Sequence, residues 1–152
     1  MAKVAILLGS ASDQAAMQGC TEYLGQFGIE HELRIISAHR QPDELAEFVK
    51  HAEENGFSVI IAAAGMAAHL PGVAASYTTL PVIGVPLDGS SLHGVDALYA
   101  IVQMPAGIPV ATVAIGPAGG KNAAVLAAEI LSLQDRSLKE RLQAFRRSGA
   151  KF

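Results

Sequence analysis

Two short stretches, Lys3-Val4-Ala5-Ile6-Leu7-Leu8 and Phe57-Ser58-Val59-Ile60-Ile61-Ala62, are apolar at almost every consecutive position. A strand with one wet face alternates apolar and polar side chains, whereas a run this continuous marks a strand covered on both faces. Such strands occur where helices lie above and below a parallel sheet. The rest of the chain agrees. After the first run come apolar residues at helical spacing, Met17, Cys20, Tyr23, Leu24 and Phe27, closed by Gly28. A second strand is expected over Glu30–Ile36 and a second helix over Pro42–Glu54, with Asn55-Gly56 as punctuation.

The third strand opens into a small-residue loop, Ala63–Gly72, and a short helix near Val73–Thr78. Pro81–Pro86 reads as a fourth strand, followed by a polar loop and a helix over Leu92–Val102. Val110–Ala114 is the fifth, before a helix over Lys121–Leu133 and an amphipathic one over Ser137–Arg147. Strand and helix alternate five times. The expected fold is α/β: a three-layer, doubly wound, parallel five-stranded sheet of the flavodoxin-like kind, with an extra C-terminal helix. At 152 residues one domain, 1–152, is expected. The last helix follows a completed sheet, so it is expected to reach onto a neighbouring subunit.

Charged residues make up 16% of the chain, against a usual share of about 25%. The shortage is local: no Lys or Arg occurs from His51 to Gly120, and from Gly56 to Gly120 the only acids are Asp88 and Asp96. Much of that segment is therefore expected to be buried against other copies of the chain. Gly, Pro and His break the apolar runs before they reach the length of a membrane span, so no membrane partner is expected. The N-terminus enters a strand without a signal-peptide pattern, and a cytoplasmic protein is expected. A net charge of −3 gives no case for nucleic acid. Cys20 has no partner for an internal disulfide and reads as core filling on a helix.

In an open parallel sheet, ligands collect outside the carboxyl ends of the strands, where helix N-termini aim unpaired N–H groups. Three turns have that address. Gly9-Ser10-Ala11-Ser12-Asp13 offers small residues, two hydroxyls and a helix start suited to an anion, although taken by itself Ser12 or Asp13 as a plain N-cap is the simpler reading. It has no Lys and no G-x-G-x-x-G, so nucleoside triphosphates and dinucleotides are poorly supported. Ser37-Ala38-His39-Arg40-Gln41-Pro42 sets an imidazole and a guanidinium on a turn stiffened by proline. Those two side chains can do chemistry, or can be a helix cap and a solvated charge. In Ala62–Gly72 small side chains leave room for a ligand, with His69 either facing it or satisfied structurally. His31, His51 and His93 lack clustered partners, and no His, Cys, Asp or Glu grouping has metal-ligand spacing.

Four segments together, G-S-A-S-D at Gly9–Asp13, S-A-H-R-Q-P at Ser37–Pro42, A-A-H-L-P-G at Ala67–Gly72, and Gly94–Pro105, resemble the bacterial N5-carboxyaminoimidazole ribonucleotide mutases of purine biosynthesis. The resemblance covers nearly the whole chain. It implies a cofactor-free, metal-free isomerase that moves a carboxyl group from the exocyclic nitrogen to carbon 4 of an aminoimidazole ribonucleotide. It implies His39 as general acid/base, and Ser10, Asp13 and Arg40 as substrate contacts with Ser12 lining the same turn. Ser37, Ala64, Gly65, His69 and Leu70 are expected to complete the binding site. The Ala62–Ala68 stretch is expected to hold free carbon dioxide, with Leu70 and Pro71 closing it against water. A homo-octamer is also implied.

One departure stands out. Where the family's third turn commonly has glycines, this chain has Ala63 and Met66, which would be strained if either position required a positive φ. The rival readings are a carboxylase that uses free carbon dioxide, a flavodoxin-like electron carrier, and a ribonucleotide-binding module without catalysis. The electron carrier is weakened by the absence of Trp and the presence of only 3 Tyr.

Overall fold

The computed structural model of the chain describes residues 2–152. Its strands are β1 (Lys3–Leu8), β2 (Glu30–Ile35), β3 (Phe57–Ala64), β4 (Val82–Pro86) and β5 (Ala111–Thr112). Its helices are α1 (Gln18–Gln26), α2 (Pro42–Lys50), α3 (Leu70–Ser76), α4 (Val95–Val102), α5 (Pro117–Leu131) and α6 (Arg136–Arg147), with a short 3-10 turn at Ala11–Asp13. The strands form one parallel sheet in the order β2-β1-β3-β4-β5. This is the doubly wound, flavodoxin-like order expected from the strand–helix alternation.

Period-two alternation divides the sheet's side chains between two cores. Val4, Ile6 and Leu8 of β1, with Val59, Ile61 and Ala63 of β3, pack beneath α1, α5 and α6. The intervening Ala5, Leu7, Ile60, Ala62 and Ala64 pack against α2, α3 and α4. Continuous apolarity in sequence is thus two alternating sets, each with its own helical cover. Right-handed crossovers explain the division: the chain steps from β1 to β2 in one direction and from β2 through β5 in the other, which puts α1 on one face and α2–α4 on the opposite one. β1 and β3 flank the point where the direction reverses.

The edges differ from the centre. β2 is half-exposed and carries Glu30, Glu32 and Arg34. Lys3 bonds Glu32 across the β1–β2 pair at 2.7 Å, and with Arg34 it holds that carboxyl below its ordinary range. β5 contracts to two residues where five are expected. The second helix ends at Lys50, four residues early, and His51–Glu54 is a turn closed by Gly56 at φ 85°.

Two helices begin earlier than expected, and the cause is the same. Pro71 and Pro117 occupy first-turn positions, where a missing N–H is harmless. The glycines that follow read as loop signals in sequence but serve close packing. A Cβ at Gly72 would lie 2.9 Å from the Met104 sulfur, and one at Gly119 would lie 1.8 Å from the Ala114 carbonyl oxygen.

α6 does not extend away from the chain. Leu138, Leu142 and Phe145 are buried in the core beneath α1 and α5. Arg141 donates to the Phe27 carbonyl at 2.9 Å, and Arg146 pairs with Glu129 at 2.7 Å. The apolar stripe expected to seek a neighbour finds an unfilled core face of its own chain first. Cys20 is fully buried there, and burial pushes its thiol up to about 12. Among the described residues no helix is long and apolar enough to cross a membrane.

Candidate active site

The turns after β1, β2 and β3 converge beside the point of reversal, and with Gly89 from the β4–α4 loop they enclose a cleft of about 840 Å³. Each turn is held by its own hydrogen bonds before any ligand arrives. In the first, the Ser10 hydroxyl accepts from the Ser12 N–H at 3.4 Å and meets the Ser12 hydroxyl at 3.0 Å. The Asp13 N–H donates to the Ser10 carbonyl at 3.1 Å. Burial raises the Asp13 carboxyl above its ordinary range, partly offset by a backbone hydrogen bond from Ser10.

The second turn is stapled three ways. Ser37 Oγ accepts the Arg40 N–H at 3.1 Å, the Gln41 N–H donates to the Ser37 carbonyl at 2.8 Å, and Gln41 Oε1 accepts the Ser37 N–H at 3.1 Å. The Ser37 hydroxyl, read from sequence as a ligand contact, therefore first shapes the turn that presents His39 and Arg40. Both of those side chains are exposed at the cleft. Among the described residues the Arg40 guanidinium has no ion-pair partner, and a fixed, unpaired cation beside helix starts suits a phosphate monoester.

The third turn brings its histidine to the second. His39 Nε2 lies 2.7 Å from His69 Nδ1, with the rings edge to face at 4.8 Å between centroids. Only one proton fits between those nitrogens, so one ring donates and the other accepts. If His39 donates, its own Nδ1 is left bare; if His69 donates, His39 carries its proton on Nδ1. Moving protons along the pair exchanges an acid for a base at the His39 end. The sequence left His69 undecided between structure and site, and its partner, thirty positions away, could not be read from local pattern.

The remaining residues of the third turn split in two. Ala64, Gly65 and Ala67 line the cleft, but Ala62, Ala63 and Ala68 are fully buried in the cores. The small-residue recess is therefore narrower than the whole Ala62–Ala68 stretch. Leu70 is 2% exposed within the α2–α4 core, so with Pro71 it forms a floor and not a movable cover. Ala63 belongs to β3, whereas Met66 does adopt a positive φ, 55°. Gln41, Ala38, Gly9 and Gly89 also line the cleft. Gly9, Ala38 and Gln41 belong to the turns picked out from sequence, whereas Gly89, from the loop after β4, had no such signal.

The other histidines stay away from the cleft. His31 Nδ1 donates to the Ile29 carbonyl at 2.9 Å, and His51 Nδ1 to the Glu47 carbonyl at 2.9 Å. Among the described residues no three His, Cys, Asp or Glu side chains are grouped to hold a metal ion.

Comparison with known proteins gives consistent results. The AIR carboxylase family model matches residues 3–151. The chain is 55% identical to a Haemophilus influenzae protein named N5-carboxyaminoimidazole ribonucleotide mutase, over 95% of this chain and 88% of that one. It is 54% identical to the Escherichia coli K12 protein of the same name, over 97% and 87%. A Saccharolobus solfataricus protein of that name is 52% identical, over 95% and 90%. Among solved structures, Treponema denticola PurE superposes with a TM-score of 0.89 at 32% identity, over 99% of this chain and 92% of that one.

Proposed function

Because the chain belongs to the AIR carboxylase family, we propose that it is the isomerase that converts N5-carboxyaminoimidazole ribonucleotide to 4-carboxyaminoimidazole ribonucleotide in purine biosynthesis. The observation that carries this reading is the His39–His69 pair, 2.7 Å apart and open to one cleft, in a chain that shares more than half its residues with proteins named as that mutase.

The chemistry is a balanced exchange. The bond between the carboxyl carbon and the exocyclic nitrogen breaks, its electron pair remains on nitrogen, and His39 delivers the proton that nitrogen needs. Carbon dioxide is released into the cleft. Carbon 4 of the ring then attacks it, a new carbon–carbon bond forms, and His39 takes back the proton that carbon 4 carried. One proton is given and one recovered, and neither step calls for a cofactor. His69 is a positioning residue that sets which nitrogen of His39 is protonated. Arg40 and the helix starts take the phosphate, with Ser10 and Ser12 beside it. Asp13, repelled by phosphate, accepts from ribose hydroxyls. Ala64 and Gly65 leave room for carbon dioxide, and holding it there keeps the second step effectively unimolecular. Ser37 and Leu70 support the turn and the floor.

The proposed setting is the cytoplasm, with residues 1–152 acting as one domain in a homo-oligomer, an octamer by resemblance. Support for assembly comes from α4, where Val95, Tyr99 and Val102 form an exposed apolar stripe, with exposed Leu92 in the turn before it, inside the segment that lacks Lys and Arg.

A carboxylase acting on free carbon dioxide is the second reading, favoured by the description of the family model. One assay separates the two. The chain is mixed with N5-carboxyaminoimidazole ribonucleotide in labelled bicarbonate, without ATP, biotin or metal. The mutase reading expects conversion with little label in product formed during the first turnovers. Label equal to that of bulk bicarbonate from the outset identifies the carboxylase. Filling the recess through Gly65→Val is expected to depress turnover more than nucleotide binding.

A further inference from the structure

Met66 presents an apolar side chain where the backbone least favours one. Its φ of 55° lies in the left-handed region, which strains an L-residue and which glycine enters freely. The path of the chain imposes that conformation. Ala64 at the end of β3 and Ala68 are both buried, the Ala68 N–H returns to the Met66 carbonyl at 2.9 Å, and the turn has to deliver His69 to His39. The strain belongs to the turn, and glycine would relieve it. A large side chain at this position therefore needs a separate reason.

Packing within the chain does not supply one. Met66 is 65% exposed, so burial returns little of the strain. What the side chain does have is an address: it lines the active cleft, on the same turn as Gly65, Ala67 and His69. Every other cleft-lining residue between Ala64 and Ala67 is Ala or Gly.

The proposed substrate offers what such a side chain lacks. It brings a flat five-membered aromatic ring, and its carboxyl group becomes a small neutral molecule in mid-reaction. A thioether packs well against a ring, and its unbranched chain adapts to irregular surfaces. We infer that Met66 closes over the imidazole ring of the bound ribonucleotide and retains the carbon dioxide released between the two steps. It makes and breaks no bond. Its effect is on retention: the fraction of intermediate that recarboxylates before it escapes. This inference rests on the mutase reading.

The test uses the full chain and three variants, Met66→Gly, Met66→Gln and Met66→Leu. Each turns over N5-carboxyaminoimidazole ribonucleotide in labelled bicarbonate. Released aminoimidazole ribonucleotide and label in the product are scored beside KM, kcat, melting temperature and sedimentation. Met66→Gly is expected to melt no lower than the parent and to sediment with it. It should nevertheless release several-fold more decarboxylated nucleotide and take up several-fold more label. Met66→Gln, similar in length but polar, should leak in the same way, whereas Met66→Leu should retain carbon dioxide as the parent does. Unchanged release and label in both Gly and Gln variants overturns the assignment while leaving the mutase reading intact. So does a Gly variant that sediments as a smaller species, because Met66 then serves a contact between copies. A parent chain that does not convert the substrate overturns the mutase reading, and the role of Met66 with it.

Discussion

A single proton separates His39 Nε2 from His69 Nδ1 at 2.7 Å, and replacing His39 should end its transfer. His39→Asn keeps some hydrogen bonding but transfers no proton, so turnover should fall by about 10²–10⁴-fold while nucleotide binding persists. Steady-state kinetics and a binding titration check this, and near-normal turnover would remove His39 from the acid/base role. At Arg40 a point charge cannot reproduce a bidentate fork, so Arg40→Lys should raise KM for the nucleotide. An unchanged KM would move the phosphate elsewhere. Asp13 carries a pH dependence. Burial raises its carboxyl, so folding is favoured with the group protonated, below its unfolded range, and that contribution is lost as pH rises through the folded value. At neutral pH the buried charge therefore opposes folding. Asp13→Asn should raise the melting temperature at pH 7. That gain should shrink as pH falls toward the ordinary carboxylate range, even as substrate binding weakens. A lower melting temperature at pH 7 would mean that Asp13 stabilises the turn more than its burial costs.

Between elements, α5 comes very close to the loop after β5 at Gly119. A Cβ at Gly119 would sit 1.8 Å from the backbone oxygen of Ala114, and backbone cannot swing aside as a side chain can. Gly119→Ala, which on an isolated helix would add about 0.5–1 kcal/mol of stability, should here destabilise by more than that gain. Overpacking of this sort costs about 1–3 kcal/mol, readable as a fall in the urea midpoint. A midpoint equal to or above the parent's would show that α5 can shift on the sheet. Gly72 and Gly119 are likewise contact points inside helices that start at their prolines, not breaks before them.

For the whole molecule, exposed Val95, Tyr99 and Val102 on α4, with Leu92 just before it, are too apolar a face to meet water without consequence. Sedimentation at micromolar concentration should show a species several times the 15.8 kDa chain mass. A Tyr99→Asp, Val102→Asp double variant should sediment as a smaller one with its circular dichroism unchanged. A parent that sediments as a monomer would leave the charge-poor segment without a role in assembly.

The sequence by itself determined the layering. Continuous apolar runs at β1 and β3, with helical spacing between them, allow few arrangements other than a parallel sheet covered on both faces, because every face of a central strand must be buried. It also located the three turns, since Ser, Asp, His and Arg at strand ends are dispensable for packing and thus legible as chemistry. Tertiary structure alone decided what depends on distance between remote residues. The pairing of His39 with His69, the return of α6 onto its own core, and the close contact at Gly119 are set by how crossovers bring elements together, and local pattern carries no record of that. It also decided which of two adjacent departures mattered. Ala63 lies in a strand, whose extended backbone asks for no positive φ, and Met66 lies where the chain must turn left-handed to carry His69 into the site.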